Sequence, residues 1–258
     1  MSQVRHTPIE RVRVEFADRV PGRQPIMRQR WEDIAFLHWP AAPEVVEQLL
    51  PPGLQVDTID GSAWVGLVPF RMVGIGLPTG PQLPYLGTFA ETNVRTYVNG
   101  PDGPGVWFHS LEAERLLPVA MARLFYRLPY FHASMRLERN GDDVIYNTIR
   151  RWPGRRGVGG TTRVSIGSRI TEPTHLEHFL TARWRLYTLT RGRLSSAEVR
   201  HAAWPLYRAR PTFWDGELVG EAGYPTPDRT PHTLFSPGVG VEIYRPVRAG
   251  SALEGARR

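Results

Sequence analysis

The sequence predicts an α+β domain wrapped around one large, mostly antiparallel, barrel-like sheet, with two main helices inserted. Three observations lead there. Segments alternating with period two, the signature of strands, outnumber those with helical spacing. Turn signals rich in Gly, Pro and Asn separate them at short intervals. No composition break, repeat or low-complexity tract divides the 258 residues. Hydrophobic residues make up 41% of the chain and aromatics 10%, enough to fill a substantial core. The expected organisation is a flexible lead-in over 1–25, one domain over 26–247 and a disordered tail over 248–258.

In chain order, "WEDIAFLHWP" (Trp31 to Pro40) reads as a strand. "PEVVEQLLPPG" reads as a short helix, with Pro43 allowed in its first turn and Pro51-Pro52-Gly53 stopping it. "GSAWVGLVPFRMVGI" is a β-branched and aromatic strand in which Pro69 signals a bulge or an edge. A long Pro/Gly loop, Gly76 to Gly87, follows. "ETNVRTYV" is a strand with Thr92, Val94, Thr96 and Val98 on one face and Glu91, Asn93, Arg95 and Tyr97 on the other. "NGPDGPG" turns the chain into the strand "VWFHSL".

Ala113 to Arg127 is expected to be a helix, because Leu117, Ala120, Met121 and Leu124 form an apolar stripe. Glu112 and Glu114 would suit its N-terminus, and Arg123 and Arg127 its C-terminus. Pro129 would end it. Period two resumes from Tyr130, with Tyr130, His132, Ser134 and Arg136 on one face. An Asn-Gly hairpin turn at Asn140 brings back "VIYNTIR". "RRWPGRRGVGG" is a loop, "TTRVSIGSRI" a strand, and "THLEHFLTARWRLYT" a helix N-capped by Thr174.

Several function classes fall away on composition. The chain has no cysteine, which removes disulfides and thiolate metal sites. It has no lysine either: all 32 basic residues are arginine, so no side-chain amine can form a Schiff base. No run approaches the roughly 20 apolar residues of a membrane-spanning helix, and the N-terminus lacks a secretory apolar region. A cytoplasmic location is the default expectation. The net charge of +7 raises nucleic acid as a partner, but the arginines are interleaved with 25 acids and no recognition motif surrounds them. The chain carries no Walker loop, no dinucleotide fingerprint and no nucleophile elbow. His175 and His178 are three apart with no clear third ligand, so no metal is expected. His38 and His109 read as hydrogen-bonded core residues.

"WEDIAFLHWP", "LLPPGLQVDTIDGSAWVGLVPFRM", "FAETNVRTYV", "GVWFHSLEAE", "FLTARWRLYT" and "FSPGVGVEIYRP" together resemble the YqjF-like family of uncharacterised bacterial proteins. That family belongs to the acetoacetate decarboxylase-like superfamily by fold. The resemblance implies a closed antiparallel barrel with a central cavity. The decarboxylases carry a glutamate at a strand start and a later segment of the form Gly-Arg-Glu-x-Trp-Gly-Phe-Pro-Lys-Lys. "ARLFYRLPYF" lies over that segment without a gap. Arg123 falls on the arginine, Tyr126 on the tryptophan and Pro129 on the proline. Tyr130 falls on the Schiff-base lysine, Phe131 on its neighbour, and Glu91 on the glutamate. The cavity is retained by this resemblance and its nucleophile is not.

The candidate catalytic residues are therefore Glu91, Tyr130 and Arg95, with Asn93, Tyr97, Arg123 and His132 as substrate-binding candidates and no metal or cofactor. Arginine can hold a carboxylate or enolate oxygen, a desolvated Glu91 can exchange protons, and Tyr130 can donate to a carbonyl oxygen. This set suits lyase- or hydrolase-type acid/base chemistry on a small organic acid or ketone. A ligand-binding or sensing barrel without catalysis would use the same pocket. A plain Glu91–Arg95 salt bridge with packed tyrosines is the structural alternative. Homo-oligomers are compatible with the sequence.

Overall fold

Strand pairing in the computed structural model explains why so much of the chain is extended: nearly every strand borders two others. Residues 24–77, 87–115 and 128–251 are described. The elements in order are β1 (Met27–Ala41), α1 (Pro43–Gln48), β2 (Gln55–Val56), β3 (Ala63–Gly76), β4 (Phe89–Gly100) and β5 (Gly103–Ala113). Then come β6 (Tyr130–Asn140), β7 (Asp143–Trp152), β8 (Gly159–Arg169), α2 (His175–Thr181), β9 (Arg185–Thr190) and β10 (Arg193–His201). The chain continues with β11 (Tyr207–Gly216), α3 (Leu218–Glu221), β12 (His232–Ile243) and β13 (Val247–Arg248).

All 13 strands belong to one sheet, antiparallel except where β5 meets β6 and β9. Nine of them, β4-β5-β6-β7-β8-β11-β12-β1-β3, close a ring. A shorter circuit also closes, because β5 pairs with β9 and β12 with β10: β5-β9-β10-β12-β1-β3-β4. β5 and β12 each split one edge between two partners, and β1, β3 and β4 are common to both rings.

The two rings divide the apolar residues. Ala35, Leu37, Trp39, Val65, Leu67 and Val94 pack with Val144, Tyr146, Val164 and Ile166 inside the nine-strand ring, with Leu218 and Val219 of α3 in the same cluster. Phe36, Val68, Phe70, Phe89 and Leu234 turn the other way. Tyr97, Val106, Val199, Val241 and Leu180 of α2 form the neighbouring cluster, and Trp31 and Trp204 touch both of these.

β1 serves both sides by alternation, with an irregularity at Asp33. Asp33 has φ 48°, and the β1–β3 register slips by one residue between Glu32 and Leu37. Trp31 and Ile34 thus join the same cluster although three apart. Pro69 lies opposite this slip, where β1 needs no N–H from β3, as a strand proline requires. The Asn140-Gly141 turn forms as expected, with Gly141 at φ 62°.

Two expected helices differ. The helix expected over Thr174–Thr188 ends at Thr181; Thr174 caps it by a capping box, but Arg185–Thr190 becomes β9, paired with both β10 and β5. The helix expected over Ala113–Arg127 falls largely on residues outside those described. Ala113 itself is in β5, and Glu112, assigned above to a helix N-terminus, is a strand residue opposite Thr92. The tail expected from residue 248 begins instead as part of β13 on β10, and Gly250 N–H donates to Asp102 Oδ1 at 3.0 Å.

Candidate functional site

β4 stands between the two ring interiors, so both of its faces are covered. Thr92, Val94, Thr96 and Val98 face one way; Glu91, Asn93, Arg95 and Tyr97 face the seven-strand ring. Burying an acid, an amide and a guanidinium on one wall is costly unless each finds a partner. Glu91, Asn93 and Arg95 are 2%, 4% and 8% exposed.

Glu91 has a partner. Leu111 pairs with both Asn93 and Tyr130, and Ala113 with both Glu91 and His132. Tyr130 and His132 thereby share the neighbourhood of Glu91, and Tyr130 Oη donates to Glu91 Oε2 at 3.1 Å. Burial pushes the Glu91 carboxyl up to about 8. The Tyr130 bond pulls the other way, and the charge of Glu112 on β5 adds to the rise. Burial and Glu91 also hold the Tyr130 phenol well above its ordinary value, so it stays a donor. His132 is half-buried on β6. Arg123 lies outside them.

Arg95 belongs to a second station. Its Nη2 donates to Leu180 O at 3.2 Å and reaches Tyr97 Oη at 3.4 Å. Tyr97 Oη donates to Leu180 O at 2.6 Å and lies 2.6 Å from His38 Nε2. Since the single hydroxyl proton goes to Leu180 O, the network assigns the proton on His38 to Nε2. Nδ1 of His38 is then a bare acceptor, and it has no partner among the described residues. Burial, then Arg95 and His232, keep this imidazole neutral far below its usual range. Gly66 makes the arrangement fit: a Cβ there would stand 2.9 Å from the His38 ring and 3.7 Å from Arg95 Cγ.

Of the expected residues, Glu91, Asn93, Arg95 and Tyr97 lie on β4 and Tyr130 and His132 on β6, and they do not form one cluster. Glu91 and Tyr130 meet; Arg95 and Tyr97 meet; no ion pair joins Glu91 to Arg95 among the described residues. That removes the simple salt-bridge alternative. A small cleft opens on the opposite side of β4, against Thr92, Thr148, Gly159, Gly160 and Trp214.

His38, expected as a hydrogen-bonded core residue, is one: it is fully buried, 2.6 Å from Tyr97 Oη and at the centre of the Arg95 station. Sequence reasoning missed one group. Arg150, assigned to a solvated loop, is 3% exposed and bonds Glu112 Oε1 through Nε at 3.2 Å and Nη2 at 2.5 Å. Its guanidinium carbon also lies 3.7 Å over the Phe131 ring, next to Tyr130. Its place in the alternating run "VIYNTIR" was the clue.

Among the described residues no group of three or more His, Asp or Glu side chains could hold a metal ion, and His175 and His178 are exposed on α2. Among the described residues ten arginines, from Arg28 to Arg229, lie within ion-pair distance of a carboxylate, so the basic charge there is interleaved with acid. No described helix is long and apolar enough to cross a membrane.

Residues 28–240 match the family DUF2071, an uncharacterized conserved protein. The uncharacterized protein YqjF of Bacillus subtilis (strain 168) is 34% identical over 212 residues, covering 82% of this chain and 88% of YqjF. Among solved structures, the enduracididine biosynthesis enzyme MppR, complexed with the condensation product of pyruvate and imidazole 4-carboxaldehyde, superposes with a TM-score of 0.63 at 16% identity. The match covers 88% of this chain and 90% of MppR. Acetoacetate decarboxylase from Legionella pneumophila subsp. pneumophila str. Philadelphia 1 gives 0.56 at 14% identity, covering 89% and 92%. At such identities the likeness shows the fold: a closed mixed barrel of the acetoacetate decarboxylase type with extra strands.

Proposed function

The chain belongs to the DUF2071 family, and we propose that this member binds a small organic acid or ketone inside the seven-strand ring and moves a proton on it without forming an imine. One observation carries the reading: Glu91 is buried, raised to about 8, and bonded to a tyrosine that stays protonated. Near neutral pH such a carboxyl is mostly the acid form. It can give its proton to a carbonyl oxygen or an enolate carbon while Oε2 still accepts from Tyr130, then recover it. Tyr130 Oη can turn to a developing oxyanion as a fixed donor. Arg95, a buried cation with no carboxylate partner among the described residues, supplies the attraction for an acidic ligand. That a structural neighbour is complexed with a pyruvate condensation product agrees with a ligand of this kind.

The absence of lysine separates this chemistry from Schiff-base decarboxylation. Borohydride treatment with acetoacetate is expected to leave the protein mass unchanged. The direct test is deuterium exchange at the carbons beside the carbonyl, followed by proton NMR across a panel of keto acids and ketones. Wild type should accelerate exchange for at least one of them, and Glu91→Gln should slow it by about 100-fold or more. Exchange unaffected by Glu91→Gln and Tyr130→Phe would remove both residues from the chemistry.

A second reading keeps the ligand and drops the reaction. Trp31 and Trp204 stack at 6.2 Å, and Phe36 meets Trp204 edge-on at 5.3 Å. Aromatic walls of this kind suit a binding or sensing barrel. Ligand binding with no exchange by wild type would select it.

A further inference from the structure

We infer that the ligand is an elongated acid, with its anionic group at Arg95 and its reacting carbon at Glu91, at separate rungs along β4. This rests on the acid/base reading of Glu91 and Tyr130 above. Glu91 and Arg95 lie on the same face of β4, four positions apart, which separates their Cα atoms by roughly 13 Å in an extended strand.

The side chains do not close that gap. The Arg95 guanidinium is tied to Leu180 O and Tyr97 Oη, and its carbon stands 5.6 Å from the Phe36 ring and 5.7 Å from the Tyr97 ring. It is therefore held near its own rung, between Phe36 and Tyr97. Arg95 is not among the charges acting on Glu91, whereas Glu112 is. A short keto acid, whose carboxylate adjoins its carbonyl, can engage one station or the other and not both.

Unpartnered atoms mark the path between them. Arg95 Nε and Asn93 Oδ1 are buried and make no hydrogen bond among the described residues, and His38 Nδ1 beyond them is in the same condition. Buried polar atoms of this kind are rare without a ligand or water to serve them. Asn93 stands midway, and its open oxygen accepts. The rungs alongside are apolar: Val68 pairs with Asn93, and Phe70 with Glu91. The wall thus reads, in order, a proton donor, an apolar stretch with one acceptor, and a cation. The complementary ligand carries a carbonyl, an apolar spacer with an N–H or O–H at mid-length, and a carboxylate at the far end.

The test is a chain-length series. Binding of acetoacetate, levulinate and methyl-ketone acids lengthened by two and by four further carbons is measured by calorimetry on the full chain. Each acid is paired with its uncharged primary amide. Affinity should rise at least about tenfold from acetoacetate to the acid that spans both stations. It should fall by a similar factor for the amide of that acid, and for Arg95→Met. Glu91→Gln should still bind the long acid while losing any proton exchange, so loss of the reaction and loss of the length rule are separate results. Equal affinity for short and long acids, equal affinity for acid and amide, or no binding by any member overturns the proposal. The amide comparison uses wild-type protein, so it stands if Arg95→Met fails to fold.

Discussion

Glu91→Gln tests the buried carboxyl without knowledge of any ligand. In the unfolded chain the group titrates near 4.5, and in the fold near 8. Between those values the native state holds a proton that the unfolded state has released. Stability from this group is therefore fully present below about 4.5 and is lost as pH rises through about 8. The gap corresponds to about 5 kcal/mol once Glu91 is ionised, and about 3 kcal/mol of that is already lost at neutral pH. Against a typical total of about 5–15 kcal/mol this is a large fraction. Glutamine has nearly the same shape, keeps an acceptor for Tyr130 and never ionises. The variant should match wild type at about pH 4.5 and exceed it increasingly up to about pH 8. Urea unfolding of both proteins across that range measures the difference directly. Stability curves that stay parallel from about pH 5 to about pH 9 would refute the argument, because Glu91 would then titrate alike in both states.

Three further outcomes follow from the packing. Arg150→Met leaves Glu112, which is fully buried, without its cation, and should cost about 3–5 kcal/mol in urea unfolding. Adding Glu112→Leu should recover most of that loss, since the charge left behind is what costs. Gly66→Ala forces a methyl against the His38 ring and should cost about 1–3 kcal/mol, read the same way. Burial holds His109 down to about 4, so its contribution is present above 6.5 and lost as pH falls toward 4; His109→Gln should flatten that acid limb in a thermal unfolding series.

The strands were legible because alternation and turn chemistry are local. "ETNVRTYV" and "NGDD" state their conformations in their own residues, and the pairs Glu91–Ala113 and Asn140–Asp143 agree. What was not local was misread. "RWRLYT" fits a helix by itself, but β5 and β10 both require an edge partner there, and pairing decided the outcome. Glu112 and Arg150 looked exposed in sequence because each borders Gly- or charge-rich residues. They are buried because β5 and β7 bring them together from 38 residues apart. In the site, the shared face of Glu91, Asn93, Arg95 and Tyr97 was readable from period two. Its division into two stations was not, since it depends on Leu180 and His38 arriving from α2 and β1.

A partition common to two compartments gives neither an independent history. Thr92 is bonded to Thr148 across the packed interior at 2.9 Å, and its neighbours along the main chain are Glu91 and Asn93. A methyl group gained or lost at Thr92 or Val94 bends the backbone that carries the acid and the amide on its reverse. Substitutions that never touch Glu91 or Asn93 can therefore shift them, and variants chosen only for thermal tolerance carry that shift along.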